Sequence, residues 1–118
     1  MAAKDELGRR GEAIAAVHLE SLGMRIVERN WRCSQGEIDL VAEDGGEIVF
    51  VEVKTRSSVA FGHPLEAITA EKLARLRRLA SAWCSLHPRR GRAIRLDAVA
   101  VIAPRSGAVE IEHLERVF

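Results

Sequence analysis

A chain of 118 residues, 47% hydrophobic and 30% charged, is long enough to bury about two-thirds of its unfolded surface, so it needs neither disulfides nor a structural metal to fold. Its formal net charge of +1 conceals an uneven distribution, and no apolar run approaches the roughly 18 residues of a membrane span. Cys33 and Cys84 stand far apart and outside any CxxC spacing, which argues against a zinc site or a disulfide framework and for two reduced thiols. The expectation is a single soluble domain spanning 1–118. Because the first residues, MAAKDELGRRGE, lack the apolar core of a secretory signal, a cytoplasmic location is expected as well.

Residues 4–22 read as a helix: Leu7, Ile14, Ala15, His18, Leu19 and Leu22 recur at spacings of three and four, and Gly23 follows as a stop. At about 100° per residue, Gly8, Gly11 and Ala15 fall inside the apolar stripe and Glu12 on its edge. Glu12 is therefore at the rim of a helix–sheet contact or in solvent. Close approach of another backbone is the expected reason for the two glycines. Residues 24–30 alternate as a first strand, with Asn30 opening a loop that holds Trp31, Cys33 and Gly36. Two further strands, 37–43 and 47–55, flank Gly45-Gly46. Gly62 and Pro64 interrupt regular structure before Thr69, an N-cap candidate, and Glu71, a favourable first-turn acid. In the helix that follows, Leu73, Leu76, Leu79, Ala80, Trp83 and Leu86 form the stripe, Lys72, Arg75 and Arg78 share another face, and Pro88 with Gly91 ends it. Strands at 95–102 and, more weakly, 109–112 complete an α-β-β-β-α-β-β order, an α/β or α+β sheet flanked by helices.

Between Lys72 and Leu96 every charged residue is basic: Lys72, Arg75, Arg77, Arg78, Arg89, Arg90, Arg92 and Arg95. Such a segment is either a solvated helix face or a phosphate-contacting surface near a cation site.

The stretch GEIDLVAEDGGEIVFVEVKTR, residues 36–56, places charge in the strongest strand signals of the chain. If Gly45-Gly46 is a two-residue hairpin loop, Asp44 pairs with Glu47, Val41 with Phe50, Asp39 with Glu52 and Glu37 with Lys54. A loop at Asp44-Gly45 instead brings Glu37 opposite Glu52, with Asp39 a diagonal neighbour. A three-residue loop separates the acids. Opposed carboxylates about 4 Å apart repel by on the order of 4 kcal/mol at an effective dielectric near 20. A shared proton, a lysine or a cation relieves this, and two hard oxygen ligands with open positions suit Mg²⁺ or Mn²⁺, with the Val53 carbonyl as a third. The alternative is a Glu37–Lys54 salt bridge with Asp39 and Glu52 facing solvent. Ile38, Leu40, Ala42, Val49, Val51 and Val53 make the other face apolar, and Val41, Ile48 and Phe50 make the charged face partly so, as in a sheet covered on both sides. An Asp…Glu-x-Lys set on adjacent strands is a nuclease arrangement: the acids hold a cation, and the lysine orients water or stabilises developing negative charge.

The segments GRRGEAIAAVHLESLG, RNWRCSQGEIDLVA, VFVEVKTR, FGHPLEAITAEKLARL and RLDAVAV, in this order and spacing, resemble the YraN-type family of bacterial proteins. That family looks like a member of the PD-(D/E)xK nuclease superfamily and is similar to archaeal Holliday-junction resolvases. The resemblance implies a restriction-endonuclease-like core with a mixed central sheet and Mg²⁺-dependent (or Mn²⁺-dependent) endonuclease activity on structured or branched DNA. It assigns Asp39, Glu52 and Lys54 as the core site, Glu12 as the helix acid, Glu37 as an accessory acid and the Val53 carbonyl as a metal ligand. A resolvase cuts two strands symmetrically, which implies a homodimer. His18 departs from the aromatic, usually tyrosine, that the resemblance leads one to expect.

Outside this set, His63 reads as a phosphate contact or as a structural loop histidine. Lys72 and Arg75, at the positive end of the second helix, and Arg78 beyond them are nucleic-acid contacts in the nuclease reading. Trp31 and Trp83 read as core residues rather than base-stacking platforms, and His87 and His113 have no sequence partner for a metal. A silent nucleic-acid-binding module and a structural partner in a DNA-processing complex are the competing functions.

Overall fold

The computed structural model describes residues 3–60, 62–88 and 93–117. Helix α1 (Ala3–Ser21) precedes three antiparallel strands, β1 (Arg25–Cys33), β2 (Gly36–Asp44) and β3 (Glu47–Arg56). A 3₁₀ turn at Pro64–Ala67 and helix α2 (Ala70–Leu86) lead to β4 (Ala93–Ile102), parallel to β3, and to the edge strand β5 (Glu110–Leu114), antiparallel to β4. The five strands form one mixed sheet in the order β1-β2-β3-β4-β5, so the predicted element order and the flanked mixed sheet both hold. Among the described residues, no helix is long and apolar enough to cross a membrane.

Local chemistry explains the element ends. Helix α1 closes in a Schellman motif: Met24 N–H donates to the Leu19 carbonyl and Gly23 N–H to that of Glu20, with Gly23 at φ +92°. Thr69 caps α2, its hydroxyl accepting from Lys72 N–H at 3.2 Å. His63 caps the 3₁₀ turn, accepting from Leu65 N–H while Glu66 accepts from His63 N–H, which makes this loop histidine structural. Helix α2 ends at Leu86, before Pro88, and Gly91 lies outside the described residues.

The sheet is covered on both faces. Helix α1 packs Ala15, Ala16 and Leu19 onto Leu40, Ala42, Val49, Val51, Val53, Val99 and Val101. Helix α2 packs Leu76, Leu79, Ala80 and Trp83 onto Ile38, Val41, Ile48, Phe50 and Leu96. Burial on two sides is why β3 and β4 are near-continuous apolar runs.

Several expectations change. Strand β1 continues through Asn30, Trp31 and Cys33, because Trp31 pairs with Ile38 and Arg32 with Glu37; Asn30 sits within it at φ +51°. Leu22, just beyond α1, and Leu86, the last residue of α2, are exposed rather than part of the buried stripes. A Cβ on Gly11 would overlap the Thr55 side chain, so a side chain of β3, not a backbone, requires that glycine. Gly8 has open space around it. Ile38 belongs to the α2 face rather than sharing a face with Leu40: the chain from Ile38 to Leu40 crosses from one face to the other, breaking the alternation at Asp39.

Candidate active site

The hairpin turn fixes the geometry. Gly45, at φ +61°, and Gly46 form a two-residue loop, and the β2–β3 ladder pairs Asp44 with Glu47, Val41 with Phe50 and Leu40 with Val51. It ends there, one pair short of Asp39 and Glu52. At that point the Asp39 carboxylate takes the place of a strand partner, its Oδ2 accepting from Val53 N–H at 2.8 Å. The face change at Asp39 and the loss of ladder pairing are one event, since a strand that rotates cannot keep its register hydrogen bonds.

The acids converge electrostatically on this opening. Burial and the Glu52 charge, with contributions from Glu12 and Glu37, push the Asp39 carboxyl up to about 8, against the stabilising Val53 N–H. Burial likewise raises Glu52, with Glu12 adding to it, while Arg75, Lys72 and Lys54 pull the other way. Glu12, on α1, is partly buried and accepts from Asn30 Nδ2 at 2.9 Å, so the left-handed residue of β1 anchors the helix acid. Glu37 accepts from Arg32 Nε at 2.9 Å across β1–β2, an ion pair within the sheet. A groove of about 460 Å³ lined by Asp5, Arg9, Glu12, Asn30, Arg32 and Glu37 runs along this side.

Asp39, Glu52, Glu12 and Glu37 are thus coupled, with Lys54, Lys72 and Arg75 acting on the same cluster. Arg78 is exposed one turn beyond Arg75 and is not among the principal charges acting on Glu52. Arg89, Arg90 and Arg92 lie outside the described residues. Trp83 is core: it packs edge-on to Phe50, stacks on His87 at 4.1 Å, and donates its indole N–H to Glu28. Trp31 packs partly buried against the same cluster, and both cysteines are free thiols.

A second charged cluster was hidden from sequence reading. Arg95, grouped with the basic segment, is a buried residue of β4 that binds both Asp97 carboxylate oxygens at 3.0 Å and Asp44 at 2.8 Å. Burial acts to lower the Arg95 pKa, but Asp97 and Asp44 more than offset it and raise it. Burial acts to raise Asp97, and hydrogen bonds from His113 and Arg95 outweigh it, holding the carboxyl below its ordinary value. His113 Nε2 lies 2.7 Å from Asp97 Oδ2, and His113 Nδ1 lies 3.3 Å from His18 Nε2. Asp97, His113 and Glu115 offer ligand atoms within 4.8 Å of one another, a group that could hold a metal ion. The only sequence signal for it was the lone acid in the apolar run RLDAVAVI, a buried charge that demands partners.

The model of the uncharacterised protein family UPF0102 matches residues 11–101. UPF0102 proteins of Arthrobacter sp. (strain FB24) and Beutenbergia cavernae are 61% and 58% identical over 117 residues, 99% of this chain and of each relative. One from Frankia casuarinae is 48% identical over 118 residues, 100% of both chains. On these matches, the chain belongs to the UPF0102 family, the YraN-type family that its motifs resemble.

Proposed function

We propose that this protein is a divalent-cation-dependent endonuclease of the PD-(D/E)xK type, hydrolysing phosphodiester bonds in structured or branched DNA. The observation that carries this reading is the convergence of Asp39, Glu52 and Glu12 where β2 and β3 part, with the Asp39 carboxyl pushed up to about 8. Carboxyls that burial and neighbouring acids keep from ionising fit a cation, which would neutralise them in place of protons. Asp39 and Glu52 are the proposed ligands. Val53 turns its N–H toward Asp39, and because a strand residue's N–H and C=O lie on the same edge, its carbonyl is the natural third oxygen. A bound Mg²⁺ or Mn²⁺ would polarise the scissile phosphate and lower the pKa of its water.

The chain supplies the rest. Lys54, two residues from Glu52 on one strand, orients the attacking water or stabilises charge on the phosphate. Glu12, held by Asn30, receives a proton or a hydrated ligand at the helix side, and Glu37, held by Arg32, closes the acidic rim. Lys72 and Arg75, in the first turns of α2, draw the DNA phosphate toward Glu52, with Arg78 extending the track. Symmetric cleavage of a junction calls for a homodimer, which sedimentation analysis tests.

The decisive experiment incubates linear, single-stranded, flapped and four-way DNA with the protein in Mg²⁺, Mn²⁺ or EDTA, with Asp39→Ala and Lys54→Ala in parallel. Cleavage that requires metal and falls by at least ~10²-fold in both variants is expected. Tight binding without cleavage in any metal would instead favour the silent binding module, and activity surviving Asp39→Ala would refute the site.

A further inference from the structure

We propose that His18 and His113 form the protein half of a second cation site, chemically distinct from the acidic one, which takes a borderline divalent ion such as Zn²⁺ and clips α1 to β5. The separation of the two ring nitrogens is the first reason. His18 Nε2 and His113 Nδ1 are 3.3 Å apart. Two imidazole nitrogens on one tetrahedral zinc, with Zn–N about 2.0–2.1 Å, lie about 3.3–3.4 Å apart. With one ring proton between them the same pair makes a direct hydrogen bond, and a cation would take that proton's place.

The second reason is the partner behind His113. Asp97 is fully buried and faces His113 Nε2 at 2.7 Å, which places the ring proton on Nε2 and the Nδ1 lone pair toward His18. A carboxylate behind a histidine in this way fixes the tautomer and raises ligand basicity at metal centres. The rings meet edge-on, at 78° with centroids 5.3 Å apart, rather than stacking.

The third reason is access. His18 lines an open, largely apolar groove of about 560 Å³ between α1 and β5, with Arg10, Ile14, Val17, Val109 and Ile111, so its ring is reached from solvent on that side. The other side of His113 is less suited: among Asp97, His113 and Glu115, the Arg95 guanidinium already binds both Asp97 oxygens and lies 3.7 Å from Glu115. Imidazole pairs select Zn²⁺, Ni²⁺ or Cu²⁺, whereas the acids at Asp39 select hard cations, so the two sites would fill independently.

Calorimetric titration of Zn²⁺ into Asp39→Ala protein held in excess Mg²⁺ isolates this site from the acidic one and from the nuclease reading. Binding weakened tenfold or more by His18→Phe, with loss of the tetrahedral Co²⁺ absorption band in the same variant, is expected. His18→Gln serves as the second variant should the phenylalanine not fold. Absence of Zn²⁺ binding in the Asp39→Ala protein, or binding unchanged by loss of His18, would overturn the assignment. The latter outcome would move the ion to Asp97, His113 and Glu115.

Discussion

Asp39 and Asp97 are both acids in strands, and their opposite electrostatic states follow from their neighbours. Asp97 is fully buried yet held below its ordinary pKa, because His113, Arg95 and the Arg116 backbone N–H outweigh desolvation. Asp39 is raised by burial first and then by the acids around it, and the Val53 N–H that donates to it does not offset them. One arrangement is complete as folded, and the other becomes complete with a cation. Arg95→Ala should therefore destabilise the protein by about 3–5 kcal/mol in urea unfolding, because it leaves Asp97 buried without its guanidinium. The folded pKa of Asp97 is depressed, so its contribution is present above the unfolded carboxylate value and lost as pH falls through the folded one. The cost of Arg95→Ala should accordingly shrink in acid.

At the scale of elements, α1 sits where a glycine lets it. Gly11 lies against Thr55 of β3, the strand that also carries Glu52 and Lys54, and this close approach brings Glu12 to the rim of the site. Gly11→Ala gains about 1 kcal/mol of helix propensity but meets Thr55, and a net loss of about 1–3 kcal/mol is expected. Gly8→Ala, on the same helix with open space around the added methyl, should instead stabilise by about 0.5–1 kcal/mol. Paired thermal denaturation of the two variants checks both signs. Strand β1 adds the complementary device: its left-handed Asn30 turns a side chain to Glu12 from the sheet side.

For the molecule as a whole, the acid cluster ties stability to pH and to cations. The folded Asp39 pKa, about 8, lies far above its ordinary 3.8, and that of Glu52 is also raised. A raised folded pKa means stability is fully present below the unfolded value and is lost as pH rises through the folded one. Metal-free protein should thus lose stability between about pH 4 and pH 8. Mg²⁺ binds the ionised form, so the rise in Tm it produces should be larger at pH 8.5 than at pH 6. Asp39→Asn should flatten the metal-free pH profile over this window and abolish the Mg²⁺ response; a Tm shift equal at both pH values would refute the linkage.

The sequence by itself determined the element order, the covered sheet and the hairpin, because periodicity and turn chemistry are local: Gly23, Thr69 and Gly45-Gly46 act within a few residues of themselves. It also singled out Asp39, Glu52, Lys54 and Glu12, since acids in apolar strands and at the edge of an apolar stripe are anomalous wherever they finally point. Only the tertiary structure decided the face change at Asp39, the pairing of Glu37 with Arg32, and the burial of Arg95. Nothing local distinguishes Arg95 from Arg75, and the difference arises when β4 carries it beside Asp97, Asp44 and Glu47. The His18–His113 contact joins residues 95 positions apart, a distance that periodicity cannot see and that packing of α1 against the sheet with its edge strand closes.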